Sequence, residues 1–456
     1  MSASRAQRVR NDASIIARYA GPLLINNLAT AGMLSADTIM AGRLGADQLA
    51  AVAVGANFIS LFYFTAIGML MGLSPIVAHA YGSRRFEDIG PFVRQGLWLS
   101  VFISVFVLVG VAFVEPALLF IGIEAPTADL ARRYAWALAP GLPALNAFYA
   151  LRFSSEGIGW TRPVMYTAAV GLVTNIFLNY VFMYGKLGAP ALGAVGTGVA
   201  TAITYWLLFV ILFVYVKRHP VYRPYRPLGR FDWPHGARLR ELAHLSLPIA
   251  GSLIMEGGLF SIAALIIGSL GSIAMAAHAI AINYAALMFM IPLSMHSATT
   301  IHVGHQLGRG DRLAGRRAGW VGIGLATGVM AVSACVLILA RDHIAALYTR
   351  DATVFALATK LLWFAAVFQL ADGMQVGAAG ALRGFKDTRL PLLFNIVAYW
   401  GVGFPLAWYL GIELGGGPQG VWTGLIVSLF TGALLQTLRY RHITRQFPQT
   451  TSRVAQ

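Results

Sequence analysis

The sequence predicts an all-α polytopic membrane protein, with twelve transmembrane helices in two pseudo-symmetric six-helix bundles. Three observations predict this fold class: a very apolar composition, apolar runs of membrane-spanning length, and an internal duplication. Hydrophobic residues make up 57% of the 456 residues and charged residues only 11%, whereas soluble domains carry about 25% charged residues. The composition therefore excludes a water-soluble protein.

Twelve apolar runs reach the length of about 20 residues that a helix needs to cross a hydrocarbon layer of ~30 Å. Charge-bearing segments separate these runs. The first run is too long for the apolar region of a cleavable signal peptide, so we expect it to stay in the chain as a span. The predicted spans are 15–40, 48–75, 94–114, 132–154, 163–184, 191–216, 243–267, 272–300, 318–340, 357–381, 390–410 and 419–438.

Basic residues are distributed unevenly between the two sides of the membrane that these spans define. With a cytoplasmic N-terminus, 27 of the 34 Lys and Arg residues lie on the cytoplasmic side. The positive-inside rule then predicts that both termini are cytoplasmic. The net charge of +16 is thus a topology signal, and we expect no nucleic-acid partner.

An internal duplication relates the two halves of the sequence. A shift of 226 residues aligns 17–82 with 243–308 without a gap, and 16 of the 66 aligned positions are identical. Each repeat holds six predicted spans, an even number, so the two repeats have the same orientation in the membrane. The identical pairs include Pro22 and Pro248, Asn57 and Asn283, and His79 and His305.

The duplication also predicts the domain organisation. We expect an N-terminal six-helix lobe at 1–216, a basic, Pro-rich cytoplasmic linker at 217–240, and a C-terminal six-helix lobe with a cytoplasmic tail at 241–456. Two such bundles, with a site between or inside them, form the architecture of alternating access. The organisation therefore predicts a transporter in the lipid bilayer.

Three carboxylates fall inside the predicted spans. Glu256 lies near the middle of the seventh span, Asp372 lies within the tenth, and Asp37 lies near the outer end of the first. A carboxylate at the centre of a membrane helix costs at least ~2.5 kcal/mol, so such groups usually face a cavity or a partner. No Lys or Arg is predicted at comparable depth, so these acids need a proton, a metal cation or a cationic substrate for neutrality. The alternative is that protonation or hydrogen bonds within the bundle serve structure alone.

Other polar side chains fall at helical spacing in the N-terminal half. Asn175 and Asn179 share one face of the fifth span, and Thr201 lies in the sixth. With Asp37 they are expected to form a polar cluster. The alternative is ordinary hydrogen bonding between helices.

Two features of the C-terminal half are candidate neighbours of its carboxylates. Gln369 lies one turn before Asp372, and the Met- and aromatic-rich stretch 284–295, which contains Phe289, is suited to an adaptable apolar pocket. Such a stretch is also typical of a lipid-facing or core surface. The single cysteine, Cys335, excludes an intramolecular disulfide, and no zinc, phosphate-loop or dinucleotide motif is present, so we expect no catalytic residues and no cofactor.

Four segments carry a resemblance to a known family. They are "MLSADTIMAGRLG" around Asp37, "HAYG" after the second span, "GSLIMEGG" around Glu256, and "FQLADGMQVGAAGALRGFKDT" around Asp372. With the duplicated twelve-span plan, the chain resembles the MATE (multidrug and toxic compound extrusion) transporters, specifically the NorM branch. The resemblance covers nearly the whole chain.

The resemblance implies a monomeric protein of the bacterial inner membrane that exports hydrophobic, mostly cationic drugs and dyes in exchange for Na⁺ or H⁺. It assigns Glu256 and Asp372 to the coupling-cation site, which holds Na⁺ if the protein is sodium-coupled. It assigns a polar site for proton or substrate to the N-terminal lobe, formed by Asp37, Asn175, Asn179 and Thr201. Phe368 stands where a relative has a tyrosine beside Na⁺, which removes one oxygen ligand.

Three other readings remain open from the sequence. A major-facilitator transporter also has two six-span halves, but "GSRRFEDIG" after the second span lacks that family's signature. A lipid-linked oligosaccharide flippase carries an anionic substrate, which favours basic residues in the cavity. An intramembrane aspartyl protease would use Asp37 and Asp372, but neither aspartate lies in a motif of that class.

Overall fold

The computed structural model describes residues 4–445, and every regular element in this range is helical. The last part of the predicted C-terminal lobe, 446–456, lies outside the described residues. The α-helices are α1 (Arg5–Gly42), α2 (Ala46–Met71), α3 (Leu73–Gly82), α4 (Phe86–Ala112), α5 (Val114–Phe120), α6 (Ala125–Leu138), α7 (Leu142–Gly157), α8 (Arg162–Tyr184), α9 (Ala194–Arg218), α10 (Gly236–Ser269), α11 (Ser272–Gly308), α12 (Arg312–Tyr348), α13 (Ala352–Gly384), α14 (Arg389–Asn395), α15 (Phe404–Trp408) and α16 (Gly417–Arg445).

Ten helical segments are long and apolar enough to cross a membrane. Two of the ten join shorter helices, because α2 continues into α3 and the chain from α14 runs helically to Glu413. The other two predicted spans, 15–40 and 132–154, are also helical but are not among the ten. The first lies in α1, which contains Asn26, Asn27 and Asp37, and the second is divided by a 3₁₀ turn at Ala139–Gly141.

The chain forms two compact units. The first unit combines the residues up to Leu24 with those from Gly251 onward, and the second is Ile25–Ala250. The division differs from the predicted lobes, because the start of α1 groups with the second half of the chain and the segment 217–240 groups with the first half. The two boundaries lie 226 residues apart, which is also the shift of the sequence repeat. Helices α1 and α10 therefore pass between units at matching positions.

A buried ion cluster holds the start of α1 in the first unit. Arg317 Nε of α12 donates to Asp12 Oδ2 at 2.6 Å, and His302 Nε2 of α11 lies 3.0 Å from Asp12 Oδ1. Burial by itself would raise the pKa of Asp12, but the bonds to His302 and Arg317 outweigh it and hold that pKa below its usual value. Asp12 is therefore a charged anchor between three helices.

In the second unit, the predicted linker is packed against α4. Arg94 Nε donates to Asp232 Oδ2 at 2.6 Å, and Arg94 Nη1 donates to the carbonyl oxygen of Arg226 at 2.9 Å. Trp98 Nε1 donates to the carbonyl oxygen of Asp232 at 2.8 Å. These bonds fix the segment at 217–240 to the surface of α4.

Small residues bring helices of the second unit into close contact. A Cβ atom on Gly68 would lie 2.4 Å from the Cα of Ala250, and one on Gly72 would lie 2.1 Å from Ser246 Oγ. Close approach through small residues is the usual packing mode in membranes, where lipid supplies no hydrophobic force between helices. Helix α10 is therefore seated on α2 and α3 before it passes into the first unit.

In the first unit, the chain between α14 and Glu413 contains two stretches with π-helical hydrogen bonding, Ile396–Gly403 and Tyr409–Glu413. A π-helical stretch rotates the side chains that follow it, and such stretches are frequent at functional sites. The first stretch carries Tyr399, which is fully buried.

Candidate functional site

The second unit contains a buried polar cluster around Asp37, which is 6% exposed. Asn179 Nδ2 of α8 donates to Asp37 Oδ1 at 2.6 Å, and Thr201 Oγ1 of α9 donates to Asp37 Oδ2 at 3.2 Å. Both carboxylate oxygens are therefore bound by side chains of other helices. Hydrogen-bond donors of this kind stabilise the charged form of a carboxylate that burial alone would disfavour.

Asn175 completes the cluster one helical turn before Asn179. Its Nδ2 donates to Thr201 Oγ1 at 3.2 Å, and its Oδ1 accepts from Asn179 Nδ2 at 3.3 Å. Asn179 Oδ1 is buried and has no hydrogen-bond partner within residues 4–445. The structure thus brings together all four residues that the sequence analysis grouped, and leaves one buried acceptor available.

Two tyrosines missed by the sequence analysis extend this cluster. Tyr134 of α6 is 4% exposed and Tyr205 of α9 is partly buried, and both interact electrostatically with Asp37. Aromatic residues are common throughout the predicted spans, so nothing in the sequence distinguished these two. Tyr205 lies four residues after Thr201, which was the one available signal.

The first unit contains a second cluster around Asp372 of α13, which is 3% exposed. The charge of Glu256, which is partly buried in α10, acts on Asp372. Gln369 lies one turn before Asp372 and is fully buried, and neither atom of its amide has a hydrogen-bond partner in the described part of the chain. Two carboxylates and an unengaged amide therefore share this region.

Gln375 and Tyr399 also belong to this second cluster, and the sequence analysis missed both. Gln375 Nε2 donates to the Tyr399 hydroxyl, and Tyr399 interacts electrostatically with Glu256 and Asp372. Gln375 follows Asp372 by three residues, so helical periodicity was sufficient to place it on the same face. Tyr399 lies in the predicted span 390–410, where no periodic pattern of polar residues distinguishes it from its apolar neighbours.

A basic residue near the end of α13 also acts on this cluster. Arg383 lies in the last turn of α13, is partly buried, and interacts electrostatically with Glu256. Eleven residues, about 16 Å along the helix, separate Arg383 from Asp372, so the absence of a basic residue at the depth of the acids stays a prediction. Arg383 follows Asp372 by eleven residues, about three helical turns, so both lie on one face of α13.

The remaining predicted neighbours lie in the same unit. Phe368 is 5% exposed, and its ring centroid is 5.9 Å from that of Phe260 and 5.8 Å from that of Trp422. It packs in the apolar core of this unit. Phe289 is partly buried in α11, and its place beside the cation site stays a prediction.

The donor set around Asp372 suits a hard cation or a proton better than a transition metal. Across residues 4–445, no group of three or more His, Cys, Asp or Glu side chains is arranged to hold a metal ion. Glu256, Asp372, Gln369, Gln375 and Tyr399 offer oxygen atoms, which are the ligands that hard cations prefer. The unpartnered amide oxygens of Gln369 and Gln375 are consistent with ligation of a passing ion.

Comparison with known proteins gives a consistent family match. The MatE family model matches residues 22–181 and again residues 248–409. The two matches begin 226 residues apart, at Pro22 and Pro248, which is the shift of the internal repeat. Both halves of the chain are thus similar to the same family model.

Curated relatives cover almost the whole chain. A probable multidrug resistance protein NorM of Xanthomonas campestris pv. campestris is 41% identical over 425 residues, which are 93% of each chain. The multidrug resistance protein PmpM of Pseudomonas aeruginosa is 37% identical over 451 residues, which are 97% of this chain and 94% of PmpM. The crystal structure of the eukaryotic MATE transporter AtDTX14 matches with a TM-score of 0.88 at 19% identity, covering 96% of this chain and 98% of that one.

Proposed function

The chain belongs to the MatE family, and on that premise we propose that it is a cation-coupled antiporter, not an enzyme. It exports hydrophobic, mostly cationic drugs and dyes across the inner membrane by alternating access, in exchange for Na⁺ or H⁺. One observation carries this proposal: each unit holds its own buried carboxylate cluster, around Asp37 in one and around Asp372 in the other. Relatives named as multidrug resistance proteins support the substrate class.

The transporter has twelve spans in two pseudo-symmetric bundles, with both termini in the cytoplasm, and acts as a monomer. Ten helical segments are apolar enough to span a membrane, and two further helical segments, α1 and the pair α6 and α7, bring the number to the proposed twelve. The double match of the family model supports the pseudo-symmetry. The excess of basic residues on one side supports the orientation. A major-facilitator protein is excluded by the family match.

The cluster around Asp37 is the proposed proton or substrate site. Its carboxylate is the one formal charge in the group, since Asn175, Asn179 and Thr201 are neutral. A proton or an organic cation that arrives there neutralises the charge and replaces some of these hydrogen bonds. The buried acceptor Asn179 Oδ1 is available to such a ligand.

The cluster around Asp372 is the proposed coupling-cation site. A cation arriving from outside neutralises the pair formed with Glu256 and weakens the attraction between Glu256 and Arg383. The contacts of α13 with α10 then change, and the affinity for a cationic drug falls. Exchange follows, because the two ligands favour different conformations.

Purified protein in proteoliposomes provides the direct test. Liposomes receive an imposed Na⁺ gradient or an imposed pH gradient, with ethidium and a neutral dye as substrates. We expect ethidium transport against its gradient under at least one of the two gradients, and little transport of the neutral dye. A double Glu256→Gln, Asp372→Asn variant serves as the uncoupled control. Transport that is independent of both gradients would contradict the proposal.

A further inference from the structure

The second half of α1 presents one buried stripe to the second unit. Only two members of this stripe are polar, Asn26 at 1% exposure and Asp37 at 6%. They are eleven residues apart, so they lie on the same face about 16 Å from each other along the helix axis. The buried positions of the stripe are Asn26, Ala29, Met33, Asp37 and Ala41.

A buried ion pair on α7 meets the polar start of this stripe. Arg152 Nε donates to Glu156 Oε1 at 2.7 Å, and the two residues are 7% and 1% exposed. Arg152 Nη2 donates to Asn27 Oδ1 at 3.3 Å. In the orientation that suits both groups, the amide oxygen of Asn26 accepts from Arg152 Nη1 at 3.1 Å and from Nη2 at 3.0 Å. The guanidinium therefore joins α7 to α1.

Aromatic rings restrict the guanidinium on its other sides. Its Cζ lies 5.3 Å from the ring centroid of Phe153 and 5.9 Å from that of Tyr149. The Tyr149 hydroxyl is in turn hydrogen-bonded to the Tyr63 hydroxyl of α2 at 2.6 Å. A planar guanidinium held by a carboxylate and two rings has little freedom, so the position of Asn26 and Asn27 is closely determined.

This ion pair is poorly explained by stability alone. Burying two charges removes their hydration, which costs free energy. Replacing a buried ion pair by well-packed apolar residues of similar volume often leaves the folded state equally stable or more stable. The contacts of Arg152 instead concentrate where α1 enters the second unit, since that unit begins at Ile25. The other polar member of the same stripe, Asp37, is held by Asn179 and Thr201.

We propose that Arg152, fixed by Glu156, is a positioning residue for Asp37: by holding Asn26 and Asn27 it sets where the second half of α1 lies relative to α8 and α9. The inference rests on the proposed role of Asp37 in transport. Without Arg152, the stripe loses its anchor at one end, and the hydrogen bonds from Asn179 and Thr201 to Asp37 lengthen or break.

Several charged or titratable groups interact with Asp37 and Arg152, and each of them contributes to the pH dependence of transport. Tyr134 of α6 and Tyr205 of α9 act on Asp37, while Tyr63 of α2 and Glu156 of α7 act on Arg152. We expect loss of the donors that stabilise the Asp37 carboxylate to displace the pH dependence of transport.

The test compares conservative variants by the pH dependence of ethidium efflux in membrane vesicles. Arg152→Lys keeps the charge but loses the fork that bonds Asn26 and Asn27. Asn26→Ala leaves the ion pair intact and removes the bonds between the guanidinium and Asn26, so that only the bond to Asn27 still joins Arg152 to α1. Arg94→Lys is the matched control, because Arg94 is also buried and ion-paired in the same unit, at 2.6 Å from Asp232. Wild type and Asp37→Asn establish whether transport depends on Asp37.

We expect Arg152→Lys and Asn26→Ala to move the midpoint of the pH profile in the same direction, and Arg94→Lys to leave it in place. If Arg152→Lys does not reach the membrane, Asn26→Ala decides the question. Profiles of both variants that superimpose on wild type would overturn the inference, as would an equal shift in Arg94→Lys. If wild-type vesicles show no efflux, or Asp37→Asn transports normally, the proposed function fails instead.

Discussion

Asp37 and Asn179 are joined by a 2.6 Å hydrogen bond between Oδ1 and Nδ2, although 142 residues separate them in the chain. The bond links α1 to α8 inside one unit, between two buried side chains. A charge-assisted hydrogen bond of this length is about twice as strong as a neutral one. The position of α1 and the charge state of Asp37 are therefore coupled.

Replacement of Asp37 by Asn removes the charge and keeps the shape. We expect Asp37→Asn to lower ethidium efflux roughly tenfold or more, because a hydrogen bond to a charged group contributes about 1.5–3 kcal/mol. Initial efflux rates at matched expression measure the effect. The exposed Asp47→Asn serves as control, and a parental rate in Asp37→Asn would refute the role of the cluster.

The carboxylates of the first unit have a separable role. We expect Glu256→Gln and Asp372→Asn each to abolish the dependence of efflux on the imposed cation gradient, because each removes one of the two negative charges of the proposed cation site. Asp37→Asn should leave cation binding to the purified protein intact. Asp342→Asn, which alters an exposed aspartate of the same unit, is the control. Equal loss of cation binding in Asp37→Asn would contradict the division of roles.

The Asp12 anchor makes stability depend on pH. Its pKa is lowered in the folded protein, so its contribution to stability is fully present above the ordinary value near 3.8 and is lost as the pH falls through the lowered pKa. We expect Asp12→Asn to reduce the unfolding temperature in detergent at pH 7, and the difference from wild type to shrink as the pH approaches 3. A constant difference across this range would show that Asp12 does not act through its charge.

We expect the hydrogen bonds between α4 and the segment 217–240 to protect that segment from proteolysis. Asp232→Asn removes the charge that binds Arg94, so we expect trypsin to cleave faster after Arg230, which is followed by Phe231, whereas Arg223 and Arg226 precede prolines and are not cleaved. Fragment masses locate the cut. Asp88→Asn, which removes an exposed and longer ion pair on α4, should leave the cleavage rate unchanged.

Close helix packing predicts a size limit at Gly68. A Cβ atom there would lie 2.4 Å from the Cα of Ala250, which is backbone and cannot rotate away. We expect Gly68→Ala to cost about 1–3 kcal/mol, the usual range for overpacking, and to lower the unfolding temperature accordingly. Gly324→Ala is the matched helical control, because nothing lies within 4 Å of its added Cβ. Unchanged stability in Gly68→Ala would show that α2 and α10 can separate without cost.

Local patterns were enough to find the residues around Asp37. Asn175 and Asn179 share a helix face, and Thr201 is a polar residue in an apolar span, so helical periodicity exposed them. Tyr134 and Tyr205 remained hidden, because a tyrosine in a membrane span has the same appearance whether it faces lipid, core or a carboxylate. The distinction arises only from packing between helices.

Hydropathy placed the helices but not their ends, and Arg152 and Arg383 illustrate this. The apolar core of a helix is visible in sequence, whereas its polar continuation is not: α1 begins at Arg5 and α13 extends to Gly384. Arg152 lies near the end of the predicted span 132–154, and Arg383 lies just beyond the predicted span 357–381. In the structure they lie in helices, where Arg152 pairs with Glu156 and Arg383 interacts with Glu256.

Helices α1 and α10 each contribute to both units, and this limits where the chain can be cut. Each unit takes one helical stretch from the other half of the sequence, because the boundaries follow Leu24 and Ala250 instead of the linker. The first unit takes the start of α1, and the second unit takes the start of α10. A polypeptide cut within 217–240 therefore yields two fragments, each lacking a stretch that completes its own unit. Each fragment would thus carry an arm that belongs to the unit completed by the other, so a split transporter would have to be expressed as a pair.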